Sequence, residues 1–143
     1  MSIPAILLPV FVQVALAFVL LIHLGAVRAS AIRAGGVDEK RVVLDDTGWP
    51  VNVRQVSNCL RNQFEFPVLF YALVAFALIT RQADLPFVVL SWIFVLSRLV
   101  HAAVHVTSNN VRLRFPAFAL GVLALLIMWM LFAIGILFSP VMP

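Results

Sequence analysis

The chain has 143 residues, of which 64% are hydrophobic and only 11% are charged. An ordinary soluble domain carries roughly 25% charged residues, and a chain this short cannot hide so many apolar side chains from water. Lipid is therefore the expected solvent, and a water-soluble globular domain is excluded. The formal charge of +4 does not point to nucleic acid: the basic residues flank apolar runs, as topology and headgroup signals do, and no aromatics interleave with a basic patch. The single cysteine, Cys59, rules out an internal disulfide and reads as a small packing residue.

The first apolar run predicts a helix over residues 4–27. No basic stretch precedes it and no small-residue cleavage site leads into a soluble chain, so it reads as a retained span. A long loop follows, "RASAIRAGGVDEKRVVLDDTGWPVN", mixed in charge and punctuated by Gly35-Gly36 and Gly48-Trp49-Pro50. The second helix is predicted over 53–80. Its uninterrupted apolar part, Phe66 to Ile79, falls short of the roughly 20 residues a span needs. It must therefore carry Asn58 to Glu65 in with it, and Pro67 predicts a kink. "RQADLP" leads to a third helix over 86–106, and "TSNNVRLR" to a fourth over 115–138. The fold class is all-α integral membrane, a four-transmembrane-helix bundle forming one domain over 1–143.

Arg28, Arg33, Lys40, Arg41 and Arg54 lie in or beside the first loop, and Arg112 and Arg114 lie in the third. The second loop has only Arg81, and neither end has a Lys or Arg. The positive-inside rule then predicts cytoplasmic first and third loops and outside termini. The expected location is the bacterial inner membrane, as a multi-pass protein.

Two polar stripes stand out. At 100° per residue, Arg54, Asn58, Arg61, Asn62 and Glu65 fall within an arc of about 100° on the second helix, and Gln63 points the other way. On the third helix Ser91, Arg98, His101, His105 and Asn109 share one side. Buried membrane charges pair with one another, so Glu65 and Arg98, each the deepest charge of its helix, are the expected ion pair. Removing Glu65 is expected to harm folding more than removing Gln63. His101, His105, Arg61, Arg112 and Arg114 exceed what helix locking needs and form an electropositive pocket suited to an anionic, polar ligand. His101 and His105 share a helical face as zinc ligands do, but Arg98 beside them repels a cation, and no metal is expected. The stripes are too wide for four helices to seclude, which predicts that they turn toward subunit boundaries.

"RNQFEFPVLFY", "SRLVHAAVH" and "NNVRLRFPAF" together resemble the MAPEG family, the membrane-associated proteins in eicosanoid and glutathione metabolism, in its bacterial-type branch. The resemblance covers nearly the whole chain. It implies a homotrimer of four-helix bundles with glutathione bound between subunits near the cytosolic side, and activity as a transferase, peroxidase or isomerase on lipophilic substrates. It assigns ligand-binding roles to Asn62, Glu65, Arg98 and His101, and a basic residue before the fourth helix, Arg114 or Arg112, to the catalytic role. The family motif usually reads arginine-alanine-histidine where this chain has Asn58, Cys59 and Leu60, and a tyrosine often stands where it has His105.

Two functions follow as expectations. One is a glutathione-dependent transferase or peroxidase for small hydrophobic electrophiles. Arg114 or Arg112 would stabilise the glutathione thiolate, and Arg61, Asn62, Glu65, His101 and His105 would orient the peptide. The other is a non-catalytic membrane protein of the same fold that binds an anionic lipid or amphiphile.

Overall fold

Helix boundaries follow local chemistry. Proline sits in the first turn of the first and third long helices, where its missing N–H costs nothing. Asp84 and Asn110 cap the third and fourth by accepting from the N–H groups of Phe87 and Arg112 at 2.9 and 3.0 Å. The computed structural model describes residues 1–138. The last residues of the expected domain, 139–143, and the side of the membrane expected for that end, lie outside the described residues.

The helices are α1 (Ile3–Arg33), a short α2 (Glu39–Val42), α3 (Val51–Arg61), α4 (Phe66–Ile79), α5 (Leu85–Val106) and α6 (Val111–Leu137). Two 3₁₀ turns, Asp46–Gly48 and Asn62–Phe64, complete the described elements, and no strand occurs among the described residues. Four segments are long and apolar enough to cross a membrane: α1, the broken span Val51–Ile79, α5 and α6. This is an all-α, multi-pass membrane protein. α1 runs six residues past its predicted end, and α6 begins four residues early at its Asn110 cap. Apolarity marks where lipid stops, whereas the backbone ladder continues into polar sequence until a cap or turn ends it.

The second span is broken rather than kinked at Pro67. Asn62–Phe64 is a 3₁₀ turn, and Glu65 leaves helical geometry at φ −98, ψ −104. A proline ring clashes with the carbonyl four residues upstream, here that of Gln63, so the ladder opens before Pro67 and restarts at Phe66.

Lipid tails are as apolar as leucine, so close packing and polar contacts hold such a bundle together. The core joins Phe70, Leu73 and Ala77 of α4 to Phe94 and Val95 of α5 and Met128 of α6. Phe70 stacks on Phe94 with centroids 4.8 Å apart. α6 lies close against α5 at Gly121, where a side chain would collide with the Ser97 hydroxyl. That approach brings the start of α6 over the polar face of α5.

Candidate functional site

Arg98, His101 and His105 are all buried on the face of α5 that α6 covers. Arg98 is 1% exposed. Its Nη2 donates to the Asn62 carbonyl at 3.1 Å, which the helix break leaves without a full ladder. Its guanidinium carbon lies 5.8 Å from the Phe118 ring centroid. Its Nε and Nη1 are buried with no acceptor among the described residues. His101 Nδ1 lies 3.2 Å from the Arg114 carbonyl. A carbonyl only accepts, so Nδ1 carries a proton in this contact. His101 Nε2 and His105 Nδ1 are buried without partners as well. The two rings meet edge to face, 5.6 Å between centroids. No group of three His, Cys, Asp or Glu side chains among the described residues could hold a metal ion.

The α3 stripe faces the other way. Val53, Val56 and Cys59 are buried against the bundle, so Arg54, Asn58, Arg61 and Glu65 are exposed on the outer surface and Asn62 is half-buried. Loop one folds back onto this face. Asp46 accepts from Arg61 Nη2 at 2.9 Å, sits 3.3 Å from the Ser57 hydroxyl and lies 3.8 Å from Arg28 Nη2. Arg28 in turn stacks over Trp49 at 5.0 Å. The loop keeps its shape because Asp38 caps α2 and donates its own N–H to the Gly48 carbonyl at 3.1 Å. A Cβ at Gly48 would lie 2.6 Å from the Asp38 carbonyl oxygen. Thr47 donates to Asp45 through both its N–H and its hydroxyl and holds that carboxyl below its ordinary range. Between the loop and α3 lies a cleft of about 460 Å³ that reaches Arg54, Asn58 and Arg61.

Two sequence expectations fail here. Glu65 and Arg98 form no ion pair within the chain: Glu65 is exposed, and its carboxylate has no cation within 4.0 Å among the described residues. The break at Asn62–Phe64 ends the regular 100° rotation and turns Glu65 outward while Arg98 stays under α6. Gln63 is the buried residue instead, at 1% exposure. It accepts from Gln13 Nε2 of α1 at 2.9 Å and donates to the Cys59 carbonyl at 3.0 Å. Two glutamines on different spans, each otherwise facing apolar neighbours, were the available signal for this contact.

The model of the MAPEG family matches residues 6–134. The chain belongs to the MAPEG family. No curated protein and no solved structure matches it. The matched region of this MAPEG chain spans all four membrane segments and every candidate site residue.

Within it, Arg98, His101, His105 and Arg114 come together through α5 and the first turn of α6. Arg114 is half-buried, with Nη1 donating to Asn109 Oδ1 at 2.6 Å. Arg112 is exposed two residues away, about 200° around α6. Asn62 joins the group through its carbonyl, whereas Arg61 and Glu65 stand on the outer surface. Sequence reasoning missed Asp46 and Gln55. Gln55 ties α3 to the end of α5 by donating to the His105 carbonyl at 2.6 Å. Neither residue lies on a periodic stripe that singles it out.

Proposed function

We propose that this MAPEG protein is a glutathione-dependent transferase or peroxidase acting on lipophilic electrophiles, assembled as a homotrimer with its site at subunit boundaries. The observation that carries the reading is Arg98: a buried guanidinium with two unpartnered donors. Leaving such donors unmet costs about 1–3 kcal/mol each, and more for charged groups, so the site fits an anionic ligand. The donor set suits this tripeptide. A carboxylate of the tripeptide matches the free guanidinium donors of Arg98, and its ammonium group matches Glu65 where the outward stripe of a neighbouring copy meets the site, since Glu65 has no cation of its own among the described residues.

Glutathione supplies the nucleophilic thiol when bound. His101 and His105 position the peptide through their free ring nitrogens, Asn62 holds Arg98 in place, and Arg114 provides the positive field that favours a thiolate. A free thiol has a pKa of about 8.5, and a neighbouring cation lowers it by Coulomb attraction. Arg114 is preferred to Arg112 because it is half-buried, where the field is less screened, and its carbonyl already contacts His101. The outward α3 stripe supports the trimer, since a neighbouring subunit would cover it. The Lys and Arg imbalance supports cytoplasmic first and third loops.

One observation favours a second reading, a non-catalytic protein that binds an anionic lipid or amphiphile at the same site. Asn58 is exposed beside Arg54 and Arg61, so the cation it replaces in the family motif is missing from the ligand-facing side. A thermal-shift series on the detergent-solubilised protein separates the two. At about 100 times its dissociation constant a ligand that binds only the folded state adds roughly 2.7 kcal/mol. Reduced glutathione should shift the wild type and Arg81→Ala equally, and Arg114→Ala and His105→Ala less. If millimolar glutathione shifts nothing and an anionic lipid shifts the wild type strongly, the second reading replaces the first.

A further inference from the structure

The α4–α5 connection lies at the end of the bundle opposite the histidines, about 30 Å away along the rise of α5. α4 ends in a backbone closure in which Gln82 N–H reaches the Ala77 carbonyl at 2.9 Å and Arg81 N–H reaches the Leu78 carbonyl at 3.3 Å. This closure requires a left-handed residue just beyond the cap, a position glycine fills without cost. Here it is Arg81, at φ 58. A side chain in that conformation is strained, and such outliers concentrate where a side chain has a use. Arg81 is exposed and has no carboxylate within 4.0 Å among the described residues.

Two clefts of nearly equal size meet at this arginine. One, of about 530 Å³, runs between α5 and α6 past Leu90, Leu131 and Phe132. The other, of about 520 Å³, runs between α1 and α4 past Ile3, Ile6 and Leu78. Arg81 and Ala83 line both. Gln82 also lines the first, with its side chain laid against the backbone of Gly135, where a Cβ would collide with Oε1. Asp84 stands at the same cleft, but its carboxylate is engaged in capping α5.

We propose that this is a phospholipid site: the phosphate of a two-tailed anionic phospholipid pairs with Arg81 and the Gln82 amide, and one acyl chain lies in each cleft. The charge complementarity is specific. Arg81, a cation without a carboxylate partner among the described residues, sits with Met1 where two clefts with largely hydrophobic walls meet, and a phosphodiester carrying two hydrocarbon tails matches that arrangement. The site is independent of the glutathione reading.

Arg81→Gly is the informative variant, because it removes the guanidinium while installing the residue the turn favours, so folding is preserved. Native mass spectrometry of the delipidated full chain, titrated with dioleoyl phosphatidylglycerol, should give one tightly held lipid per chain for the wild type. Arg81→Gly should weaken it roughly tenfold or more, the scale of a charge-assisted hydrogen bond. Lyso-phosphatidylglycerol, with one tail, and inorganic phosphate, with none, should each bind more weakly than the two-tailed lipid. Leu131→Trp, which narrows one cleft and leaves Arg81 and Gln82 in place, should lower the preference for two tails over one. Equal lipid retention by wild type and Arg81→Gly overturns the proposal, as does equal binding of the one- and two-tailed lipids. Lipid that binds the separated chain and is excluded from the assembled oligomer also overturns it, since a second copy then occupies the clefts.

Discussion

Replacing Arg98 with methionine tests the central feature of the site, because the structure fixes the size of each opposing effect. The guanidinium makes one hydrogen bond, to the Asn62 carbonyl at 3.1 Å, worth about 1.5–3 kcal/mol for a charged donor. Its contact with the Phe118 ring, 5.8 Å to the centroid, adds about 0.5–2 kcal/mol. Against these stand Nε and Nη1, buried and unpartnered, each costing about 1–3 kcal/mol. The two ranges overlap, so ligand-free Arg98→Met should cost less than the roughly 3–5 kcal/mol of a broken buried ion pair. An arginine held in a buried ion pair behaves differently, because its removal strands the partner at about 3–5 kcal/mol. Reversible unfolding in mixed micelles, with and without reduced glutathione, reads both quantities. The ligand should stabilise the wild type and leave Arg98→Met unchanged, and a cycle with Glu65→Ala should be additive. A ligand-free loss of 3–5 kcal/mol would refute the reasoning by revealing a carboxylate partner. Undiminished stabilisation by glutathione would remove Arg98 from the site.

Gln13→Leu should destabilise the protein by about 1–3 kcal/mol because it strands the buried Gln63 carbonyl oxygen, and in the same unfolding assay Gln63→Ala should cost more than Glu65→Ala. Gly48→Ala should loosen loop one, read as faster limited proteolysis between Asp38 and Asp46, since its Cβ meets the Asp38 carbonyl and the Val42 N–H. In a Cys59→Ser background, single cysteines at Ser2, Gly36 and Asp84 should label from the outside, the cytoplasm and the outside respectively; outside labelling at Gly36 inverts the proposed topology.

The four spans were legible because a run of apolar residues about 20 long has few alternatives in a bundle. The α5 stripe was legible for a related reason: α5 is unbroken, so Arg98, His101 and His105 keep the helical phase that their spacing implies. The α3 stripe was legible as a stripe, but its direction was not. Which face of a helix meets the bundle depends on what the other spans offer, and Val53, Val56 and Cys59 found α1 and α5. The pairing of Glu65 with Arg98 failed at one point, the turn at Asn62–Phe64, because periodicity cannot be carried through a break. Asp46 and Gln55 act through folded loop geometry and a helix end, and neither leaves a periodic trace.

The break has a consequence for depth. α4 has 14 residues and rises about 21 Å, against a hydrocarbon core of roughly 30 Å. The remaining 9 Å or so, about six residues of helix, must come from the Asn62–Phe64 turn and the end of α3. On that rise Arg61 falls near the hydrocarbon boundary and Glu65 about 8 Å inside it, both on the outer surface of the chain. Arg61 has Asp46 for company at 2.9 Å; Glu65 has no such partner among the described residues. Charges facing lipid at that depth are costly, and either a neighbouring subunit or a bound zwitterion lowers the cost. In the proposed homotrimer both do so at once, because the surface that needs covering is the surface that carries Arg61, Asn62 and Glu65. Assembly and ligand binding should then be coupled: glutathione should raise the fraction of trimer at a given detergent dilution, and a monomer that binds glutathione as tightly as the trimer would uncouple the site from the interface.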